Sequence, residues 1–109
     1  MAAHAYAPYS HFQVGAAVRT RDGRVFLGVN VENAAYPLGI CAEKSAVAAA
    51  ATAGCRPGDL DVIAITASPC GGCRQWLVEW KLERVVYARS GGELVAASPV
   101  DLLPDTFEL

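Results

Sequence analysis

The amino-acid sequence predicts an α/β domain: a mixed five-stranded sheet with an antiparallel last pair, covered by helices in three αβα layers. Three observations lead to this class. Residues 12–32 alternate apolar and other side chains in two runs, HFQVGAAVR and RVFLGVNVE, the period of half-buried strands. Two long stretches that begin at cysteines, CAEKSAVAAAATAG and SPCGGCRQWLVEWKLE, have helical character. Short apolar runs fill the remaining places, giving the order ββαβαββα, with both long helices needed to cover the sheet.

Each element has its own signal. Phe12, Val14, Ala16 and Val18 share one face of the first strand, TRDG is a turn, and the second run completes a hairpin. The first helix starts at Cys41 and ends at Gly54. GDLDVIAIT is a third strand, short and apolar enough to be central. The second helix starts after Gly71 and Gly72, with Trp76, Leu77 and Trp80 at helical intervals and expected in the core or an interface. RVVYAR is the fourth strand. Only SGGE separates it from LVAA, too short for a crossover, so this pair is antiparallel. In SPVDLLPD, Ser98 reads as an N-cap, Pro99 as the first helical residue and Asp101 as the capping-box acid.

At 109 residues and 53% hydrophobic, residues 1–109 form a single domain with a modest core. A net charge of −2 with dispersed Lys and Arg gives no footprint for nucleic acid. No apolar run approaches the roughly 20 residues of a membrane span. The start MAAHAYAPYSHF lacks the charged and apolar regions of a secretory signal, which points to the cytoplasm. There, four cysteines are metal ligands or free thiols before they are disulfides.

The chemistry gathers at the two helix starts, Cys41-Ala42-Glu43 and Pro69-Cys70-Gly-Gly-Cys73. A thiolate at a helix N-terminus is favoured by the dipole and by unsatisfied amides. Three thiolates supply three corners of a zinc tetrahedron and leave the fourth for water, the pattern of a catalytic site. Glu43, two residues from a ligand, is placed to take a proton from water and hand it to a leaving group. CxxC alone also occurs in redox and structural-zinc sites. The second Cys-x-Glu helix start turns the combination into the three-cysteine form of a zinc-deaminase signature. Cys55 lies at the far end of about twelve helical residues, roughly 18 Å from Cys41, and is expected to be a free thiol. Asn30 and Glu32 share one face of a strand end, either as a clamp for a diol or as a wet strand end. Phe12 reads first as a core residue. His4 and His11 lack ligand spacing and are expected at the surface.

The chain resembles the small homotetrameric cytidine deaminases over Tyr6 to Phe107, through YAPYSHFQVGAA, GVNVENAAYPLGICAE, SPCGGCRQ and LLPDTF. The resemblance implies hydrolytic deamination of cytidine and 2′-deoxycytidine to the uridine counterparts, a reaction of pyrimidine salvage, with release of ammonia. Cys41, Cys70 and Cys73 match the ligands of one zinc per chain, and Glu43 matches the proton shuttle. Asn30 and Glu32 match the ribose-binding pair, Phe12 the aromatic beside the nucleoside, and the Ala42 main chain the contact to the base. Tyr36 and Phe107 match residues lent to a neighbouring subunit. The partner implied is a small pyrimidine nucleoside, with neither nucleic acid nor membrane.

Three departures from the family pattern stand out. Lys44 replaces the usual Arg, which in the family donates to ligand sulfurs; Arg74 is the other cation near the ligands to share that duty. The loop before SPC is short, which would reshape the entrance over the base. The family's N-terminal helix has no counterpart before Tyr6. The competing readings are a deaminase of modified or analogue cytosine nucleosides and an inactive, zinc-stabilised binding module, against which Glu43 argues. The Ala-rich first helix has little polar surface for water, and it joins the resemblance in predicting a homotetramer.

Overall fold

The computed structural model describes residues 1–109 and contains a five-stranded sheet in the order β2-β1-β3-β4-β5. The strands are β1 (Gly15–Thr20), β2 (Val25–Val29), β3 (Leu60–Ile65), β4 (Arg84–Ala88) and β5 (Leu94–Ala97). β1 pairs antiparallel with both β2 and β3, β3 runs parallel to β4, and β5 returns antiparallel. The helices are α1 (Ala42–Thr52), α2 (Gly71–Glu79) and the short α3 (Pro99–Leu102). The mixed sheet, the central third strand and the antiparallel last pair are those the sequence predicts.

The hairpin is shorter than its alternation suggests. Phe12 precedes β1 and is 60% exposed, so it belongs to a loop rather than to the core. The loop leaves the strand alternation because its backbone hydrogen bonds go elsewhere. Tyr6 donates its amide to the Asn30 carbonyl and accepts the Glu32 amide, and the Val14 amide goes to the Asn30 side chain.

The three-layer expectation is corrected. Ala16, Val18, Ile63, Ile65, Val85 and Tyr87 point to one face, and both α1 and α2 bury their apolar sides there, in a single core with Ala46, Val47, Ala50 and Leu77. The opposite face carries Val25, Leu27 and Leu94, all exposed, with Met1 and Ala2 beside Gly15. Element order predicts that two helices are needed for the sheet, but not that both cover the same side. In α2 Leu77 is fully buried and Trp76 partly exposed, while Trp80, the C-cap, flanks the core.

Close approach explains how α1 sits. Gly28 of β2 lies directly beneath it, where a Cβ would fall 2.3 Å from the Ala46 nitrogen and 2.5 Å from the Ala42 oxygen. At its far end α1 stops at Gly54, whose φ of +101° admits glycine and few other residues. At α3 the Ser98 hydroxyl accepts the Asp101 amide at 3.2 Å, as expected of the cap, though Asp101 makes no return bond. No helix is long and apolar enough to cross a membrane.

Candidate active site

The N-termini of α1 and α2 meet at one edge of the sheet. α1 follows Ile40, which is tied to Val31 by two backbone hydrogen bonds of 3.0 and 2.9 Å. α2 follows the segment leaving β3. Cys41 and Cys70 are the N-caps, and Cys73 lies in the first turn of α2.

The three Sγ atoms lie within 4.8 Å of one another, with Cys41 and Cys70 3.8 Å apart. A tetrahedron with Zn–S bonds of about 2.3 Å has edges of about 3.8 Å, so the donor set fits zinc in both chemistry and span. Cys55 is no part of it: its thiol is buried in the core, 3.7 Å from Nη2 of Arg24. Helix N-termini were expected to depress all three thiols, but burial dominates at two. It pushes Cys41 and, more strongly, Cys73 above the ordinary thiol range, with the Glu43 charge adding to the effect. Burial pushes Cys70 up as well, but hydrogen bonds from Cys73 and Cys41 outweigh it and bring it below. A dication offsets the cost of keeping three thiolates so close together.

Glu43 projects from the first turn of α1 and is only 4% exposed. Burial raises its carboxyl above the ordinary glutamate range, opposed in part by its own backbone, the Cys73 thiol and the Lys44 charge. A carboxylate so placed takes up a proton more readily than an exposed one and can release it into the cleft.

That cleft has a volume of about 400 Å³. Cys41, Ala42, Glu43, Cys70, Asn30 and Glu32 are among the residues that line it, Ala42 and Glu43 being buried. Phe12 and Tyr36 stand at the mouth. The geometry thus brings Phe12, Asn30, Glu32, Ala42 and Tyr36 into one cavity with Cys41, Glu43 and Cys70. Phe107 is not among them: it is 69% exposed near Val78 and Lys81, on the α2 side of the molecule, with its carbonyl accepting from Gln75 at 3.2 Å.

Neither second cation reaches the sulfurs. Lys44 Nζ lies 6.0 Å from the Trp76 ring centre and beside Gly72, and it hydrogen-bonds to none of the thiols. Arg74 donates to the Pro69 oxygen at 2.9 Å, the Leu102 oxygen at 3.0 Å and the Ser68 hydroxyl at 3.4 Å. It braces the Cys70 loop against α3. Ser10, Ala67 and Ser68 also line the cleft, and sequence reasoning passed over them. The only signal for Ser10 and Ser68 was their place inside the quoted motifs.

Residues 1–89 match the family model of the cytidine and deoxycytidylate deaminase zinc-binding region. A cytidine deaminase of Mycobacterium tuberculosis H37Rv is 43% identical over 122 aligned positions, spanning 99% of this chain and 82% of its own. A probable cytidine deaminase of Dictyostelium discoideum is 40% identical, spanning 95% of this chain and 74% of its own. Among solved structures, cytidine deaminase from Burkholderia pseudomallei superposes with a TM-score of 0.90 at 46% identity, covering 96% of this chain and 89% of that one.

Proposed function

The chain belongs to the zinc-dependent cytidine deaminase family, and on that premise we propose that it hydrolyses cytidine and 2′-deoxycytidine to uridine and 2′-deoxyuridine, releasing ammonia. One observation carries the reading: a buried Glu43 beside a Cys41–Cys70–Cys73 cluster of zinc dimensions, with Cys41, Glu43 and Cys70 lining a cleft of about 400 Å³.

Cys41, Cys70 and Cys73 would hold one zinc. When bound, zinc supplies Lewis acidity, which makes water a competent nucleophile near neutral pH. Glu43 receives a proton from the attacking water and delivers it to the amino group that departs as ammonia. Its raised pKa suits it to both halves of that transfer. The Ala42 main chain faces the base, Phe12 packs beside the nucleoside, and Asn30 with Glu32 meets the ribose hydroxyls. Lys44 and Arg74 act at one remove, Lys44 as a nearby positive charge and Arg74 as the brace of the Cys70 loop.

The cleft favours a nucleoside over its phosphate. It is lined by no Lys, Arg or His, and it carries the carboxylates of Glu32 and Glu43, which oppose a second anion. Turnover of cytidine, 2′-deoxycytidine, N4-substituted analogues, free cytosine and CMP, with ammonia counted, tests the reading. The nucleosides should be turned over, and CMP and cytosine should lag far behind. If cytosine and cytidine have equal kcat/KM, the sugar clamp is wrong.

The assembly proposed is a homotetramer in the cytoplasm. Phe107 is 69% exposed and stands away from its own cleft, which supports a site completed by a neighbouring chain, whereas Tyr36 lines the cleft of its own chain. Ala48 and Thr52 leave one side of α1 open as well. A cluster of three thiols needs a reducing compartment, which supports the location. Light scattering at low micromolar concentration should give the tetramer mass; a fully active monomer would overturn this part.

A further inference from the structure

The Glu32 carboxylate is engaged by the loop that precedes β1. Its Oε1 accepts the amides of Tyr9 at 3.0 Å and Ser10 at 3.1 Å, and its Oε2 accepts the Ser10 hydroxyl. The same hydroxyl oxygen accepts the Phe12 amide at 3.0 Å. A single oxygen therefore links the carboxylate on one wall of the cleft to the aromatic at its mouth. Asn30 grips the other end of the loop: its Oδ1 accepts the Val14 amide at 2.9 Å, and its Nδ2 donates to the Phe12 carbonyl at 2.8 Å. Between these ties His11 is held at a φ of +59°, a conformation that side-chain-bearing residues rarely adopt. An exposed loop with so much of its hydrogen bonding spent on two cleft residues is built to a fixed shape.

We propose that Ser10 is a positioning residue for the sugar: its hydroxyl fixes the Glu32 carboxylate and the Phe12 ring relative to each other, and so sets how tightly the nucleoside is held. The proposal rests on the reading that Glu32 meets the ribose. Glu32 cannot serve the sugar well if it swings. Each of its oxygens can accept more than one bond, so the loop fixes its direction while leaving acceptor capacity towards the cleft. Ser10 hydrogen-bonds to Glu32 and Phe12 and to neither the thiols nor Glu43, so its loss should affect binding more than chemistry.

The test uses the zinc-loaded protein with Ser10→Ala and Ser10→Thr. A hydrogen bond to a charged group is worth about tenfold or more in binding. Ser10→Ala should raise KM for cytidine by about that factor and change kcat by less than about threefold, whereas Ser10→Thr, which keeps the hydroxyl, should stay within about threefold of wild type in both. In a Glu32→Ala background, adding Ser10→Ala should shift KM by less than about twofold, since the group through which Ser10 acts is gone. Amide hydrogen exchange over residues 9–12 should quicken in Ser10→Ala whatever the substrate. A lower kcat at unchanged KM means a structural role only and overturns the proposal. So does an unchanged KM with faster exchange, or full additivity with Glu32→Ala. If wild type binds zinc but does not turn over cytidine, the functional reading falls, and the sugar role falls with it. In that case unchanged exchange would refute the loop tie as well.

Discussion

Replacing Gly28 with alanine should damage the metal site although the residue touches none of its ligands. The new Cβ would sit 2.3 Å from the Ala46 nitrogen and 2.8 Å from its Cα, about 1.1 Å inside ordinary contact at the closer atom. Those atoms are helix backbone, so no rotamer change relieves the clash, and α1 must lift from the sheet by about that distance. Overpacking costs about 1–3 kcal/mol, and an unyielding neighbour puts this case at the upper end. The reduced freedom of the unfolded chain returns about 0.4–1 kcal/mol. A net loss of about 2 kcal/mol lowers the melting temperature of a chain this size by about 8 °C. The lift carries Cys41 and Glu43 with α1, while Cys70 and Cys73 stay with α2, so zinc retention falls and activity drops by up to about 10²-fold. Thermal melts followed by circular dichroism, zinc per chain and cytidine turnover read all three effects. A variant melting within about 2 °C of wild type, with full zinc and full rate, would refute the claim that this contact sets the height of α1.

Other perturbations separate the parts of the site. Cys70→Ser should lose most of its zinc while Cys55→Ser keeps it, as metal analysis of the purified proteins will show; the reverse pattern would overturn the ligand assignment. Arg74→Ala should loosen the Ser68–Cys70 loop and speed zinc loss to a chelator severalfold, while Arg74→Lys recovers only part of this, because one ammonium cannot replace donors to Pro69, Leu102 and Ser68. Lys44→Ala should weaken zinc retention less than Arg74→Ala does, since Lys44 packs on Trp76 and makes no bond to a thiol; equal losses would show that charge outweighs bracing.

The parts of the fold written in local chemistry could be read without the structure. Glycine ends α1, α2 begins at the two glycines after Cys70 rather than just beyond them, and the five residues between β4 and β5 force an antiparallel return. Local chemistry does not say which face of a sheet a helix will take. Alternation showed that one face of β1 was apolar but not that both helices would choose it. Phe12 was misread for a related reason: its spacing matched Val14 and Val18, but the loop's hydrogen bonds to Asn30 and Glu32 take it out of the strand. The thiols and Glu43 were legible because metal chemistry demands particular residue types at helix starts. Ser10 and the bracing role of Arg74 were not, since a serine or an arginine has many uses and only its partners in space show which one applies. The thiol pKa values were misjudged where burial outweighed the helix N-terminus, a balance that spacing alone does not reveal.

The central claim is that Glu43 moves the proton for a reaction whose site the three cysteines build. One paired measurement tests it most directly: zinc per chain and cytidine turnover, determined on the same preparations of wild type and Glu43→Gln. Wild type should carry one zinc and release one ammonia for each uridine formed. Glu43→Gln should carry the same zinc and lose at least about 10²-fold in kcat, the lower bound for a lost general acid–base. A zinc-loaded Glu43→Gln protein that keeps more than about a tenth of the wild-type rate would contradict the account.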